Sequence, residues 1–319
     1  MNIEEQIEQN VPLAPFNTFK IGGPAKYFVQ ADNQEEIIEA IKWAKNKGHK
    51  YFILAGGSNV LIGDQGFSGL IIKNDSKLFY REKIADGELI RCGSGLPMSR
   101  LVLGSSNHSL TGMEWAIGLP GTVGGAIRGN ASCFGSEMSA LIEEVTAYDP
   151  DDDKIIKLTK EQCGFGYRHS FFKNNNLIIV DCLVRLKTGH NSKIRERMEE
   201  VIKLRTEKQP KYPSAGSIFK NVNPRDVKNT ELLDEAKREG IFTGAGPNGL
   251  SAGWLIEKLY FKGKQVGGAM ISLEHANFII NKNFHASASD VMMLMSLIKQ
   301  KVRVEFGVQL KEEIQYLDY

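Results

Sequence analysis

Glycine restricts the fold of this chain more than any other residue type. It supplies 32 of the 319 residues, about a tenth against roughly 7% in average proteins, and it gathers in a few loops instead of spreading as low-complexity sequence. The stretch Leu54-Ala55-Gly56-Gly57-Ser58-Asn59-Val60-Leu61 joins a strand to a loop. Its two glycines permit positive φ, its successive amides can converge on phosphate oxygens, and Ser58 and Asn59 add side-chain donors. A plain β-turn uses the same residue types, and the local pattern does not choose between the two. The second stretch, Gly118-Leu119-Pro120-Gly121-Thr122-Val123-Gly124-Gly125-Ala126-Ile127, runs on into Gly129-Asn130-Ala131-Ser132 and leaves a face without side chains. A flat ring or a pyrophosphate needs such a face if the main chain is to come within hydrogen-bonding distance, although tight packing of two strands would use the same glycines. Two such loops of unlike sequence favour one extended cofactor over two separate phosphate sites.

Composition narrows the class of partner. A net charge of +2 is too small to imply a nucleic-acid or membrane partner in bulk. The four cysteines, Cys92, Cys133, Cys163 and Cys182, form no CxxC pair, and the six histidines never fall at metal-ligand spacing; no disulfide scaffold and no metal is expected. Glu4, Glu5 and Glu8 stand where a signal peptide would carry lysines ahead of an apolar run, and no run approaches the roughly 20 apolar residues of a bilayer span. A cytoplasmic protein is expected.

The first segment alternates strand and helix. Residues 25–30 read as extended, 33–47 as a helix opened by Asn33 with Glu36 and stopped at Gly48, and 51–54 as a strand. From about residue 70 to 187 short apolar stretches separated by polar turns predict mainly sheet, with a small helix over 98–104. Helical spacing returns over 192–205, and the charged stretch 205–211 before Pro213 predicts a boundary. Beyond it the pattern predicts a helix over 251–259, strands around 266–272 and 276–280, and a long helix capped by Ser289 or Asp290 and ended by Gly307.

Several residues could carry chemistry. Gly244-Ala245-Gly246-Pro247-Asn248-Gly249 satisfies GxGxxG, but no βαβ unit encloses it and no acidic residue follows at the right distance, so it reads as a helix-entry loop. Arg168 lies in an aromatic stretch with Tyr167, Phe171 and Phe172; a buried guanidinium needs an anion, either a structural carboxylate or that of a substrate. Arg205, Lys208 and Lys211 form a basic cluster that could grip a diphosphate or form a solvated face. In Ser214-Ala215-Gly216-Ser217-Ile218-Phe219-Lys220-Asn221 a hydroxyl sits between a flexible glycine and an apolar strand. Ser217 could give a proton only to a strongly basic carbon, inside a site that orients it; viewed alone it is a turn serine.

Taken in order, these stretches resemble one family, the UDP-N-acetylenolpyruvoylglucosamine reductases, commonly called MurB. The likeness starts at Asn17-Thr18-Phe19-Lys20-Ile21-Gly22-Gly23-Pro24-Ala25, continues through both glycine loops, Tyr167-Arg168 and residues 214–221, and ends at 310–314. It implies an α+β protein: an FAD-binding fold of the vanillyl-alcohol-oxidase (PCMH) type in two subdomains, 1–75 and 76–205, and a C-terminal α+β substrate-binding domain, 206–319. It implies FAD held non-covalently by Ala55, Gly56, Gly57, Ser58 and Asn59 at the pyrophosphate, and by Gly118, Pro120, Gly121, Gly124, Gly125, Asn130 and Ser132 along the flavin and ribityl chain.

The resemblance also implies the reaction. NADPH reduces the flavin and leaves, and the hydride then passes to the enol ether of UDP-N-acetylglucosamine enolpyruvate, giving UDP-N-acetylmuramate for peptidoglycan. Arg168 and Glu313 would stabilise the developing enolate, Ser217 would protonate it, and Tyr167, Lys208, Lys220 and Asn221 would bind substrate. No nucleic-acid or membrane partner is implied, and a monomer is favoured. The sequence departs from the family twice. Only Asn174, Asn175 and Asn176 separate Lys173 from Leu177, where some members insert a loop bearing a tyrosine, and Ser132-Cys133-Phe134 replaces the commoner Gly-Ala-Tyr. The rival readings are an FAD oxidase of the same fold acting on an alcohol or sugar, and a nucleotide-binding module without catalysis.

Overall fold

The computed structural model describes residues 3–242 and 249–318. The GxGxxG motif therefore lies outside the described residues except for Gly249. By its contacts the chain forms two units. The first takes residues up to Val11, Ala25–Gly56 and Ser68–Arg205; the second takes Pro12–Pro24, Gly57–Phe67 and Thr206 onward.

The first unit is built on two sheets. In one, strands run in the order Glu8–Pro12, Pro24–Ala31, Phe67–Asn74, Tyr51–Leu54, with the last two parallel. Helix α1 (Gln34–Asn46) buries Ile37, Ala40, Ile41 and Ala44 in the same core as Val29, Leu70 and Ile72. Its start and stop are local: the Asn33 side chain accepts from the Glu36 amide at 2.9 Å, and Gly48 adopts φ +68°. In the other sheet the long strand Ile178–Thr188 lies between Ile142–Asp149 and Gly87–Gly93, with Lys154–Thr159 and Phe79–Ile84 outside them, all antiparallel. Helices α2 (Met98–Asn107) and α3 (Val123–Gly129) and the inward face of α4 (Asn191–Lys208) close the core of this sheet.

Helix α3 corrects the expectation of a single long loop over 118–127. Thr122 caps it, and Val123, Ala126 and Ile127 recur at helical spacing and are buried. Seven residues are too few to hold a helix alone, so tertiary burial of that apolar face decides it.

The second unit packs α5 (Thr230–Arg238), α6 (Ala252–Lys258) and α7 (Ala288–Phe306) around a four-stranded sheet of order Ser214–Ser217, Phe278–Ile280, Ala269–Ile271, Gln265–Val266. Helix α5 has no counterpart among the expected elements, although Asn229 accepts from the Leu232 amide and Leu232 and Ala236 face the core. The cap of α7 is neither Ser289 nor Asp290. Ser287 caps it, because that position puts Asp290 at N3, where each side chain accepts from the other's amide. Ser289 turns to Asp64, whose carboxylate takes the Ala288 amide at 2.7 Å and the Ser289 amide at 3.1 Å.

Two short segments join this unit although they precede residue 75. The Gln315–Leu317 strand pairs in parallel with Val60–Ile62, and the Asn17–Ile21 turn bonds to Ser214 and Asn281. Buried Asn17 shapes that turn by donating to the Leu13 and Ile21 carbonyls, each at 2.9 Å.

Candidate functional site

The expected site residues form two groups, one in each unit. In the first unit the two glycine loops meet through bare backbone. A Cβ built on Gly56 would stand 2.4 Å from Gly121 Cα, and one on Gly124 would stand 2.6 Å from Ser94 Cβ. Gly56 and Gly124 are therefore packing glycines. The amides that open α3 are engaged as well: Val123 donates to Leu96 O, Gly124 to Ser94 O at 2.8 Å, and Gly125 to the Thr122 hydroxyl. Gly125 and Gly129 differ. They lie four residues apart on α3; a Cβ at Gly125 would find only the Thr122 hydroxyl, at 3.7 Å, and one at Gly129 would find nothing within 4 Å. This is a side-chain-free helix face with open space beside it.

At the far end of α3, Asn130 takes φ +42° and is 1% exposed. Its amide nitrogen donates to Gly166 O and Glu137, and its oxygen accepts from the Ser139 amide. Asn130 thus anchors the turn that presents Tyr167 and Arg168. In that turn Gly166 and His169 exchange backbone hydrogen bonds, and Arg168 is held at φ +52°, a left-handed conformation that costs a side-chain-bearing residue about 1–2 kcal/mol. Such strain collects where a fold over-determines a side chain's position. Arg168 donates through Nη1 to the Ser132 hydroxyl at 2.7 Å and through Nη2 to Ser132 O at 3.2 Å, and its guanidinium lies 5.6 Å from the Tyr167 ring centre. Ser132 thereby orients an arginine.

Cys133, next to Ser132, is half-buried and donates toward Trp115 O. Burial pushes its thiol above the ordinary range, while Arg205 and Arg168 pull against that shift. Arg205 is the residue whose place the sequence pattern hid. Grouped there with Lys208 and Lys211, it is 9% exposed and turned inward, whereas both lysines are exposed. Its signal was its spacing, since Ile194, Met198, Val201 and Arg205 share one face of α4. A second stretch that sequence reasoning passed over is Gly93-Ser94-Gly95. Ser94 backs Gly124, and a Cβ on Gly95 would collide with the Ser76 amide at 2.5 Å.

The second group gathers around the end of the chain. The Asn59 side chain donates to Glu313 O at 3.1 Å, and the Gln315 amide donates to Asn59 O. The Glu313 amide donates to Ile218 O at 2.8 Å, and Lys220 N donates to Lys311 O. The 217–220 segment is thus zipped to 311–313, so Asn59, Ser217 and Glu313 lie on adjoining segments. Gly57 closes against Asn17 and accepts from the Thr18 amide; Thr18 Oγ1 in turn donates to Ser214 O at 2.7 Å. Ser217 is half-buried and follows Gly216, which takes φ +77° with nothing beside it. Asn221 accepts from the Ala252 amide at the start of α6, Lys220 is half-buried and Lys208 exposed. No three His, Cys, Asp or Glu side chains among the described residues are grouped to hold a metal.

An FAD site can be tested against this geometry. The open Gly125 and Gly129 face and the backbone contact between the two glycine loops provide a cradle of the kind a dinucleotide with a flat ring would use, and among the described residues the buried Nε1 of Trp115, in the core that α3 shares, has no partner. The residues fit.

Comparisons with known proteins bear on both groups. Residues 25–159 match the model of an FAD binding domain, and residues 209–317 match that of the UDP-N-acetylenolpyruvoylglucosamine reductase C-terminal domain. The chain is 38% identical over 308 residues to the UDP-N-acetylenolpyruvoylglucosamine reductase of Fervidobacterium nodosum, covering 96% of this chain and 90% of the relative. It is 35% identical over 312 residues to that of Clostridium novyi, covering 98% and 92%. It is similar to the crystal structure of the Thermus caldophilus reductase, with a TM-score of 0.74, 30% identity and 98% of each chain covered.

Proposed function

The chain belongs to the UDP-N-acetylenolpyruvoylglucosamine reductase family, and we propose how its own residues divide the work of that reaction. It is an FAD-containing oxidoreductase of α+β fold that uses NADPH to reduce UDP-N-acetylglucosamine enolpyruvate to UDP-N-acetylmuramate, in peptidoglycan precursor synthesis. FAD, held by residues of the two glycine loops, would supply two-electron hydride chemistry between NADPH and the enol ether.

The observation that carries the assignment of residues is the backbone contact of Gly56 with Gly121 beside the open Gly125 and Gly129 face. In this reading Ala55, Gly56, Gly57, Ser58 and Asn59 hold the pyrophosphate, and Gly118, Pro120, Gly121 and Gly125 lie along the ring and ribityl chain. Gly124, Asn130 and Ser132 shape that surface from behind, because their polar groups already serve α3 and Arg168. Hydride addition to the terminal carbon of the substrate leaves negative charge on the adjacent carbon and its carboxylate. Arg168, preset by Ser132, offsets that charge, and Glu313 helps to polarise the enol ether. Ser217 then gives its hydroxyl proton to the basic carbon, completing the reduction. Tyr167, Lys208, Lys220 and Asn221 grip the nucleotide sugar.

The finer division into FAD subdomains 1–75 and 76–205 and a substrate domain 206–319 belongs to the same reading. So does a monomer acting in the cytoplasm on diffusible metabolites, with no nucleic-acid or membrane partner. Among the described residues no helix is long and apolar enough to cross a membrane.

The test is an anaerobic titration of the purified protein with NADPH, followed at flavin wavelengths. Bleaching on NADPH and recovery of colour on adding UDP-N-acetylglucosamine enolpyruvate is the expected result. Bleaching without recovery would remove the substrate assignment, and flavin that stays with the protein after acid precipitation would favour an oxidase with a covalent tether.

A further inference from the structure

Helix α4 turns one charged residue into the core. Ile194, Val201 and Arg205 are its buried positions, and half-buried Met198 shares their face. Taking a guanidinium out of water is costly unless something offsets its charge. Among the described residues the partners of Arg205 are neutral: Nε donates to Ile117 O at 2.8 Å, Nη2 to Trp115 O at 3.2 Å and to Cys133 Sγ at 3.0 Å, and the group stacks 5.2 Å from the Phe134 ring centre. Its Cδ occupies the space beside Gly118, where a Cβ would stand 3.2 Å away. One side chain therefore ties the turn that feeds the second glycine loop to the hairpin Ser132–Cys133 with Ser136–Glu137. Arg168 grips Ser132, the neighbouring residue of the same hairpin. Two guanidinium groups thus converge on adjacent residues, and the buried one is hydrogen-bonded to carbonyls and a thiol instead of a carboxylate.

We propose that Arg205 is a positioning residue of the cofactor site, which clamps residues 115–118 to residues 132–134 and whose charge, not neutralised by a protein carboxylate, raises the reduction potential of the bound flavin. The proposal rests on the FAD reading. Reduction adds negative charge to a flavin, so a fixed cation held nearby in a poorly solvated place favours the reduced form. The clamp and the charge are separable, because lysine keeps the charge but not the planar fork that reaches two carbonyls at once.

The experiment compares wild-type holoenzyme with Arg205→Met and Arg205→Lys. Three quantities are read: the flavin midpoint potential against reference dyes, the FAD dissociation constant by fluorescence, and the rate at which Cys133 reacts with a disulfide reagent. Cys133→Ser serves as the control, since the other three cysteines are buried. Arg205→Met should lower the potential, weaken FAD binding about tenfold or more, and speed the reaction of Cys133. Arg205→Lys should keep the potential near that of the wild type while FAD still binds about tenfold more weakly.

A Met variant with unchanged potential and FAD affinity overturns the proposal. So does a Lys variant that binds FAD as tightly as the wild type, which stays decisive if the Met variant fails to fold. Wild-type protein that takes up no FAD would instead sink the cofactor reading itself, and the proposal with it.

Discussion

Two glycine-bearing regions, one in each unit, use the residue for opposite reasons. At Gly56 and Gly124 the missing side chain is replaced by neighbouring chain: Gly56 lies against Gly121 and Gly124 against Ser94, closer than a Cβ would allow. At Gly216 nothing stands within 4 Å, and what requires glycine is φ +77°. The first arrangement makes a rigid surface from backbone. The second bends the strand beside Ser217, where the pairing with Phe278–Ile280 loses register between Ser214 and Ser217. A surface packed from bare backbone and a left-handed bend beside a strand make different demands on the same residue.

That contrast can be broken from either side. The largest effect is expected from Gly56→Ala, whose methyl would meet backbone that has no room to yield. Overpacking of this kind costs about 1–3 kcal/mol or more, and the protein should purify colourless with a lowered melting temperature. A yellow, fully stable Gly56→Ala protein would show that the loops are not locked together.

Next comes Ser217→Ala, which should leave reduction by NADPH intact and slow reoxidation by substrate about 10²–10⁴-fold. Stopped-flow traces of the two half-reactions decide it, and equal losses in both would take the proton-donor role from Ser217. Arg168→Ala should slow the same half-reaction about 10²–10³-fold while FAD stays bound; recovery of apoprotein would assign that arginine to the cofactor surface instead. The smallest effect belongs to Gly216→Ala, a strain of about 1–2 kcal/mol at a left-handed position with free space. Denaturant midpoints should register it with FAD affinity unchanged, and a loss of FAD affinity would mean that the two uses of glycine are not independent.

Legibility in the sequence followed the range of the interaction. Helix α1 was readable in full because Asn33, Glu36 and Gly48 are all local signals, and the end of α7 at Gly307 was readable for the same reason. Its start was misplaced by two or three residues, since Ser287 and Ser289 are equally good caps until Asp290 and Asp64 choose between them. Helix α3 read as a loop because glycine lowers helix propensity by about 1 kcal/mol per residue, and only burial of Val123, Ala126 and Ile127 outweighs that. Among the site residues, chemistry-bearing types in family order were recognisable, but their partners were not. Nothing local says that Ser132 orients Arg168 or that Asn130 serves Gly166.

By itself the sequence determined two glycine-rich stretches, a serine between a flexible glycine and an apolar strand, and an arginine in an aromatic turn, while the α+β class came through the family likeness. The former properties reside in residue type and short spacing. Tertiary structure alone decided which glycines are filled by neighbouring chain and which leave open space, and that Arg205 faces inward beside Cys133 while Lys208 faces solvent. The reason is that a missing Cβ or a buried charge acquires its meaning from whatever distant segment folding brings against it.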